Sequence, residues 1–288
     1  MAVDGTNLQV GLTMKIDSHQ HFWKYTTSAF GWINNEMKVL RRDFLPADLH
    51  KELRSTGFDG SIAVQAPQTL EETRWLLELA ESNDFIKGVI GWVDLCSPNV
   101  ENQIAEFSRN KKFVGVRHIV QDELDDQFLL RKEFLRGIET LQQCNKTYDI
   151  LIYPKHVRTA IRFVRKFPDM RFILDHCAKP FIKKNIISPW KEDIQELAKS
   201  LNVYCKVSGM VTEADWKNWK PEDFTPYLDV VFEAFGTERV MIGSDWPVCT
   251  IAGNYSNIIS IVAEYSQQVS REEQTAIMGG NAQRVYGL

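Results

Sequence analysis

Ile16-Asp17-Ser18-His19-Gln20-His21-Phe22-Trp23 lies near the start of the 288-residue chain. A short apolar run, beginning at Met14, ends here in two histidines spaced i and i+2. In an extended strand successive side chains alternate faces, so His19 and His21 project together from the end of a first β-strand. Two neutral imidazoles converging on one point are half of a transition-metal site.

Working outward from that strand, β-rich apolar runs alternate with amphipathic helical runs to the end of the chain. The strands expected are Lys15–Asp17, Gly60–Gln65, Ile86–Val93, Phe113–Ile119, Asp149–Tyr153, Arg171–Asp175, Val203–Val207 and Arg239–Gly243. Most are continuous Val/Ile/Phe stretches, as parallel strands covered by helices require. Helix starts are readable between them. Ser188-Pro189 before Trp190–Leu201 reads as an N-cap with proline at the first helical position. Ser270 to Glu273 has capping-box spacing, and Glu71–Ser82 and Val157–Phe167 carry the helical period. Eight strand–helix units give an α/β chain with the count of a single closed (β/α)8 TIM barrel. An open doubly wound sheet is the structural rival, but no Gly-x-Gly-x-x-Gly follows the first strand and no linker divides the chain. Residues 14–288 are therefore expected to form one barrel, with residues 1–13 a loose leader. The long stretches Phe22–Asp59 and Ser208–Phe224 read as insertions over the catalytic end of the barrel.

Composition narrows the function classes. The chain is 44% hydrophobic and 25% charged with a formal charge of −4, giving no reason to expect a nucleic-acid or anionic-membrane partner. No apolar stretch is long enough to span a bilayer. Five cysteines, Cys96, Cys144, Cys177, Cys205 and Cys249, are scattered singly, which suggests reduced thiols and a cytoplasmic location. Nothing in the sequence marks an oligomer interface.

A barrel enzyme keeps its chemistry at the C-terminal ends of its strands, and the polar residues gather there. Strand 1 ends in His19 and His21, strand 4 carries Arg117 and His118, and strand 6 ends in Asp175 and His176. Strand 7 holds Lys206 and Ser208, and strand 8 leads into Ser244-Asp245-Trp246-Pro247. Each has a bland alternative: His176 as a hydrogen-bonded core histidine, Asp245 as an N-cap, Arg117 as a buried ion-pair partner of Asp175. His50 and His156 stand in helical or loop contexts outside the site. Trp23, Trp32, Trp92 and Trp246 are packing residues when taken singly, yet Trp23 and Trp246 directly follow candidate site residues. A polar site for a sugar-like ring uses such flat faces beside its hydrogen-bonding groups.

Ile16–Trp23, Val116-Arg117-His118, Leu174-Asp175-His176-Cys177-Ala178-Lys179-Pro180, Gly243-Ser244-Asp245-Trp246-Pro247 and the closing Gly280–Leu288 resemble the amidohydrolase superfamily. More narrowly the chain resembles its sugar-lactonase branch, the L-fuconolactone and L-rhamnonolactone hydrolases. The resemblance runs from Met14 to the C-terminus with motifs in strand order. It implies a site built from His19, His21, His176 and Asp245, able to take one divalent ion, zinc before others, with an open position. Binuclear relatives use a bridging lysine from strand 4, and Phe113–Ile119 has none. Asp149–Tyr153 likewise lacks the histidine many relatives place on strand 5. Some lactonases resembling this chain work with a weakly held metal or none.

Lactone hydrolysis needs an activated water, a polarised carbonyl and a proton for the leaving hydroxyl. Asp245 is the expected general base. A metal on His19, His21 and His176 would polarise the carbonyl; without one, His176, His118, Arg117 or Lys206 must hydrogen-bond the oxyanion. Arg117, His118, Lys206, Trp23, Trp32, Trp92 and Trp246 are the expected substrate-binding residues. A superfamily decarboxylase acting on an aromatic or enol carboxylate, and a non-catalytic binding barrel, are the alternatives.

Overall fold

Eight parallel strands follow one another around a single sheet in chain order: β1 (Ile16–Gln20), β2 (Gly60–Val64), β3 (Ile86–Gly91), β4 (Phe113–Ile119), β5 (Thr147–Leu151), β6 (Phe172–Leu174), β7 (Val203–Val207) and β8 (Val240–Ile242). They come from a computed structural model that describes residues 13–288; the leader expected at residues 1–13 lies, but for Thr13, outside the described residues. The helices are α1 (Pro46–Thr56), α2 (Leu70–Ser82), α3 (Val100–Ser108), α4 (Lys132–Gln143), α5 (Val157–Val164), α6 (Trp190–Ala198), α7 (Thr225–Phe235), α8 (Tyr255–Tyr265), α9 (Arg271–Thr275) and α10 (Asn281–Tyr286).

The sheet nearly closes into a barrel. The last strand meets the first through a parallel bridge between Gln20 and Trp246. Asp245 N–H donates to His19 O (2.8 Å) and His21 N–H to Trp246 O (2.6 Å), while Ser18 Oγ donates to Ile242 O (2.6 Å). Two apolar layers result, as expected when strands are covered on both faces. The larger lies between strands and helices. The smaller fills the barrel interior with Ile16, Ile62, Val64, Ile90, Val114, Ile173 and Met241, and is closed from below by Ala282, Val285 and Tyr286 of α10. Gly279 lets that C-terminal segment dock, because a Cβ there would sit 1.9 Å from Met14 O. The opposite, C-terminal end of the interior is polar, which is where the site forms.

Several boundaries differ from the expectation, each for a local reason. β1 runs on to Gln20, so His19 lies inside it. β3 stops at Gly91 because Thr73 Oγ1 of α2 engages both Trp92 N (2.8 Å) and Trp92 O (2.7 Å). β5 starts and ends two residues early: Pro154 follows Tyr153 and favours a turn there over a ladder. Ser188 does not cap α6; its Oγ donates to Glu192 Oε1 (2.8 Å), and Pro189 takes the cap position after a cis peptide bond. Ser270 and Glu273 do form the expected capping box.

Candidate active site

Asp17 fixes the frame on which the site is hung. Fully buried on β1, it accepts hydrogen bonds from Ser244 N (2.9 Å), Ser244 Oγ (2.6 Å), Tyr255 Oη (3.0 Å) and His19 N (3.2 Å). Burial pushes its pKa up to about 6, against the pull of those donors. The bonds tie β1 to the loop after β8 and hold Asp245 at φ 57°. A second strained turn follows β6, where His176, Cys177, Ala178 and Lys179 have φ of 52°, 51°, 57° and 53°. Each such residue costs roughly 1–2 kcal/mol, and strain of this kind concentrates at functional sites. The turn is held by His176 Nδ1 to Ser208 Oγ (2.9 Å) and by Trp190 Nε1 donating to Cys177 O (2.8 Å).

These anchors bring four of the expected residues together. His19 Nε2 lies 3.2 Å from His21 Nε2, and Asp245 Oδ1 lies 3.4, 3.9 and 4.0 Å from the Nε2 atoms of His21, His19 and His176. His21 Nδ1 donates to Val64 O (2.8 Å), which turns its Nε2 lone pair inward. His19 Nδ1 lies 3.3 Å from Asp175 Oδ1 and 3.4 Å from Lys206 Nζ, and its Nε2 faces the cluster. Burial drives His19 well below its ordinary pKa and His176 down to about 4. Burial would raise Asp245, but His176, the His21 contact and His19 outweigh it and hold the carboxyl well below the usual range.

Two imidazole nitrogens and a carboxylate oxygen converging within 3.9 Å of one another are a donor set for a cation. Ligand atoms about 2.05 Å from a tetrahedral ion are about 3.3 Å apart; the His19–His21 and His21–Asp245 separations of 3.2 and 3.4 Å match, and the His19–Asp245 separation of 3.9 Å is longer. His19, His21 and Asp245 therefore suit a divalent ion. A positive group already stands beside them. Arg117 NH1 lies 3.2 Å from His19 Nε2 and donates to Asp175 Oδ2 (3.1 Å), and its NH2 donates to Gln65 O (2.5 Å).

Above the cluster opens a cavity of about 340 Å³, at the small end of ligand pockets. Its floor holds His21, Arg117, His176 and Asp245. Trp23, Trp32, Tyr153 and Trp216 form apolar faces, and Gln121, Asp122, Lys179, Thr212 and Glu213 add polar groups. The insertions after β1 and β7 supply Trp23, Trp32, Thr212, Glu213 and Trp216, as their placement over the barrel mouth required.

Four expected residues lie elsewhere. His118 follows Arg117 on β4 and so faces the helix layer, not the barrel. It stacks on Phe128 at 4.7 Å, engages Glu123 Oε1 through Nε2 (2.7 Å) and accepts from Trp92 Nε1 (3.4 Å). Burial lowers its pKa. Trp92 goes with it into that layer. Lys206 is fully buried beneath the floor, bonded to Asp149 and 3.2 Å from Asp175 Oδ1. Trp246 packs edge-on against Phe22 and Phe44. Sequence reasoning also missed Tyr153, Glu213, Lys179 and Trp216 as wall residues. Lys179 stood inside the strand 6 motif, and the others lie in turns that carry no periodic signal.

The family model described as amidohydrolase matches residues 16–288. A protein of Burkholderia multivorans named L-fucono-1,5-lactonase is 38% identical over 286 residues, 96% of each chain. An amidohydrolase of the same organism, solved with bound Zn, superposes with a TM-score of 0.92 at 38% identity, covering 96% of this chain and 99% of that one. A dihydroxybenzoic acid decarboxylase from Polaromonas, with a TM-score of 0.65 and 16% identity over 96% of this chain and 98% of its own, shares the fold alone. With its family model matched from the first strand to the last residue and its donor cluster at the barrel mouth, the chain belongs to the amidohydrolase family.

Proposed function

We propose that the protein opens a sugar (aldono-) lactone by attack of water on the ester carbonyl, with Asp245 as general base. The observation that carries this is the Asp245 carboxylate at the floor of the cavity, within 4.0 Å of three imidazoles, with Arg117 lining the same cavity. The likeness to relatives named L-fucono-1,5-lactonase supports the substrate class.

In this mechanism Asp245 takes a proton from a water as the water oxygen bonds to the carbonyl carbon. The oxyanion is met by Arg117 and by His176. Ser208, engaging His176 Nδ1, leaves Nε2 to face the pocket. As the ring C–O bond breaks, Asp245 returns its proton to the departing ring oxygen, and a hydroxy acid is released. Trp23, Trp32 and Trp216 offer flat faces to the sugar ring, while Lys179 and Glu213 offer a charge of each sign to its hydroxyls. His19, His21 and Asp245, with His176 adjacent, would hold one divalent ion, zinc before others; when bound it would polarise the carbonyl and acidify water.

The reaction is confined to a small molecule, and no helix among the described residues is long and apolar enough to cross a membrane. All five cysteines are free thiols, which supports a reducing, cytoplasmic setting. The test is a panel of aldonolactones and aromatic carboxylates, followed by proton and carbon dioxide release. Proton release from one or more lactones supports the reading; carbon dioxide release without lactone turnover overturns it.

A further inference from the structure

We infer that Arg117 sets the metal affinity of the site by occupying the nitrogen of His19 that an ion would use. An imidazole nitrogen has one lone pair, and it serves either a hydrogen bond or a metal. His19 Nδ1 lies 3.3 Å from Asp175 Oδ1 and 3.4 Å from Lys206 Nζ; Arg117 NH1, which can only donate, reaches Nε2 at 3.2 Å, and this contact assigns the lone pair to Nε2. The guanidinium is not free to swing away. It is 3% exposed, and Asp175 Oδ2 (3.1 Å) and Gln65 O (2.5 Å) hold its two terminal nitrogens. An ion entering between His19, His21 and Asp245 must break the Arg117–His19 contact and then sit against a fixed positive charge of its own sign.

The arrangement makes the guanidinium a resident cation at one of the three donors, His19 Nε2. The inference rests on the donor set alone and does not depend on which substrate is hydrolysed.

The test is zinc titration of chelator-treated protein by calorimetry, with cobalt absorption as a second readout of the ligand set. Arg117→Met removes the charge and the hydrogen bond while keeping the length of the stem; Asp175 keeps Lys206 as a partner at 3.2 Å. Zinc is expected to bind about 10–100-fold more tightly than to the wild type, the scale on which groups around a metal's ligands act. Arg117→Lys, which keeps the charge, is expected to stay near the wild type. His21→Gln in the Arg117→Met background is expected to abolish the gain. Unchanged or weaker zinc binding by folded Arg117→Met protein overturns the inference, as does a gain that survives His21→Gln. Should Arg117→Met fail to fold, Arg117→Gln provides the same comparison. Wild-type protein that hydrolyses no lactone would leave these affinities to be judged by themselves.

Discussion

Gly209 joins β7 to the insertion over the site, and replacing it with alanine tests whether the placement of His176 matters. The residue has φ +60°, and an added Cβ would lie 2.6 Å from His176 Nδ1, 3.0 Å from His176 Cγ and 3.1 Å from Asp245 Oδ2. Ordinary contact begins at 3.4 Å, so the ring must retreat by about 0.8 Å, the gap between 2.6 and 3.4 Å. That retreat breaks or lengthens the 2.9 Å bond to Ser208 and shifts the oxyanion partner relative to Asp245. A displacement of about 1 Å costs on the order of 100-fold in rate. The left-handed backbone adds roughly 1–2 kcal/mol once a Cβ is present, and the lost hydrogen bond about 1 kcal/mol. Gly209→Ala is therefore expected to lose about 2–3 kcal/mol of stability. Its kcat is expected to fall about 100-fold with little change in KM, because the glycine adds nothing to the pocket wall. Steady-state kinetics on the preferred lactone, with urea unfolding of the same preparation, measures both. Wild-type kcat in the folded variant would refute the placement of His176 in the mechanism.

Two further perturbations probe the frame and the surroundings of the site. Asp17→Asn keeps the shape but turns an N–H toward Ser244 Oγ or Tyr255 Oη, so it is expected to cost about 1–3 kcal/mol of stability and to lower kcat as the Asp245 loop loosens; kinetics and unfolding at neutral pH check both, and an unaltered kcat counts against Asp17 as a positioning residue. Glu72 is raised by burial from 4.5 to about 7, against the pull of its bond from Ala66 N. Its folded-state pKa exceeds the unfolded value, so its contribution is most favourable below about 4.5 and is lost as pH rises through about 7. Glu72→Gln is expected to gain up to about 3 kcal/mol relative to the wild type between pH 4.5 and pH 8, and urea unfolding that shows parallel pH dependences would count against it.

Much of the architecture was legible because it rests on periodicity and composition. Continuous Val/Ile/Phe runs located all eight strands, and the i, i+2 spacing of His19 and His21 put both at one point. The same alternation, applied to Arg117 and His118, sends neighbours to opposite faces; only Arg117 reaches the site. Lys206 shows a second limit, since inward orientation does not give depth. Its ammonium meets Asp149 and Asp175 below the cavity floor, and no single-strand pattern states how far below the mouth a side chain ends. The walls were hidden for another reason. Tyr153, Lys179, Glu213 and Trp216 sit in turns whose path is set by tertiary contacts and by left-handed backbone, and sequence periodicity carries no record of either.

In the proposed hydrolysis of a lactone, Asp245 moves the proton. Asp245→Asn keeps the volume and removes the base, and kcat/KM on the lactone the wild type prefers is the measurement. A fall of at least about 100-fold, the lower range for a general base, with folded protein by circular dichroism, is the predicted result. Activity close to that of the wild type in the folded variant would contradict the account.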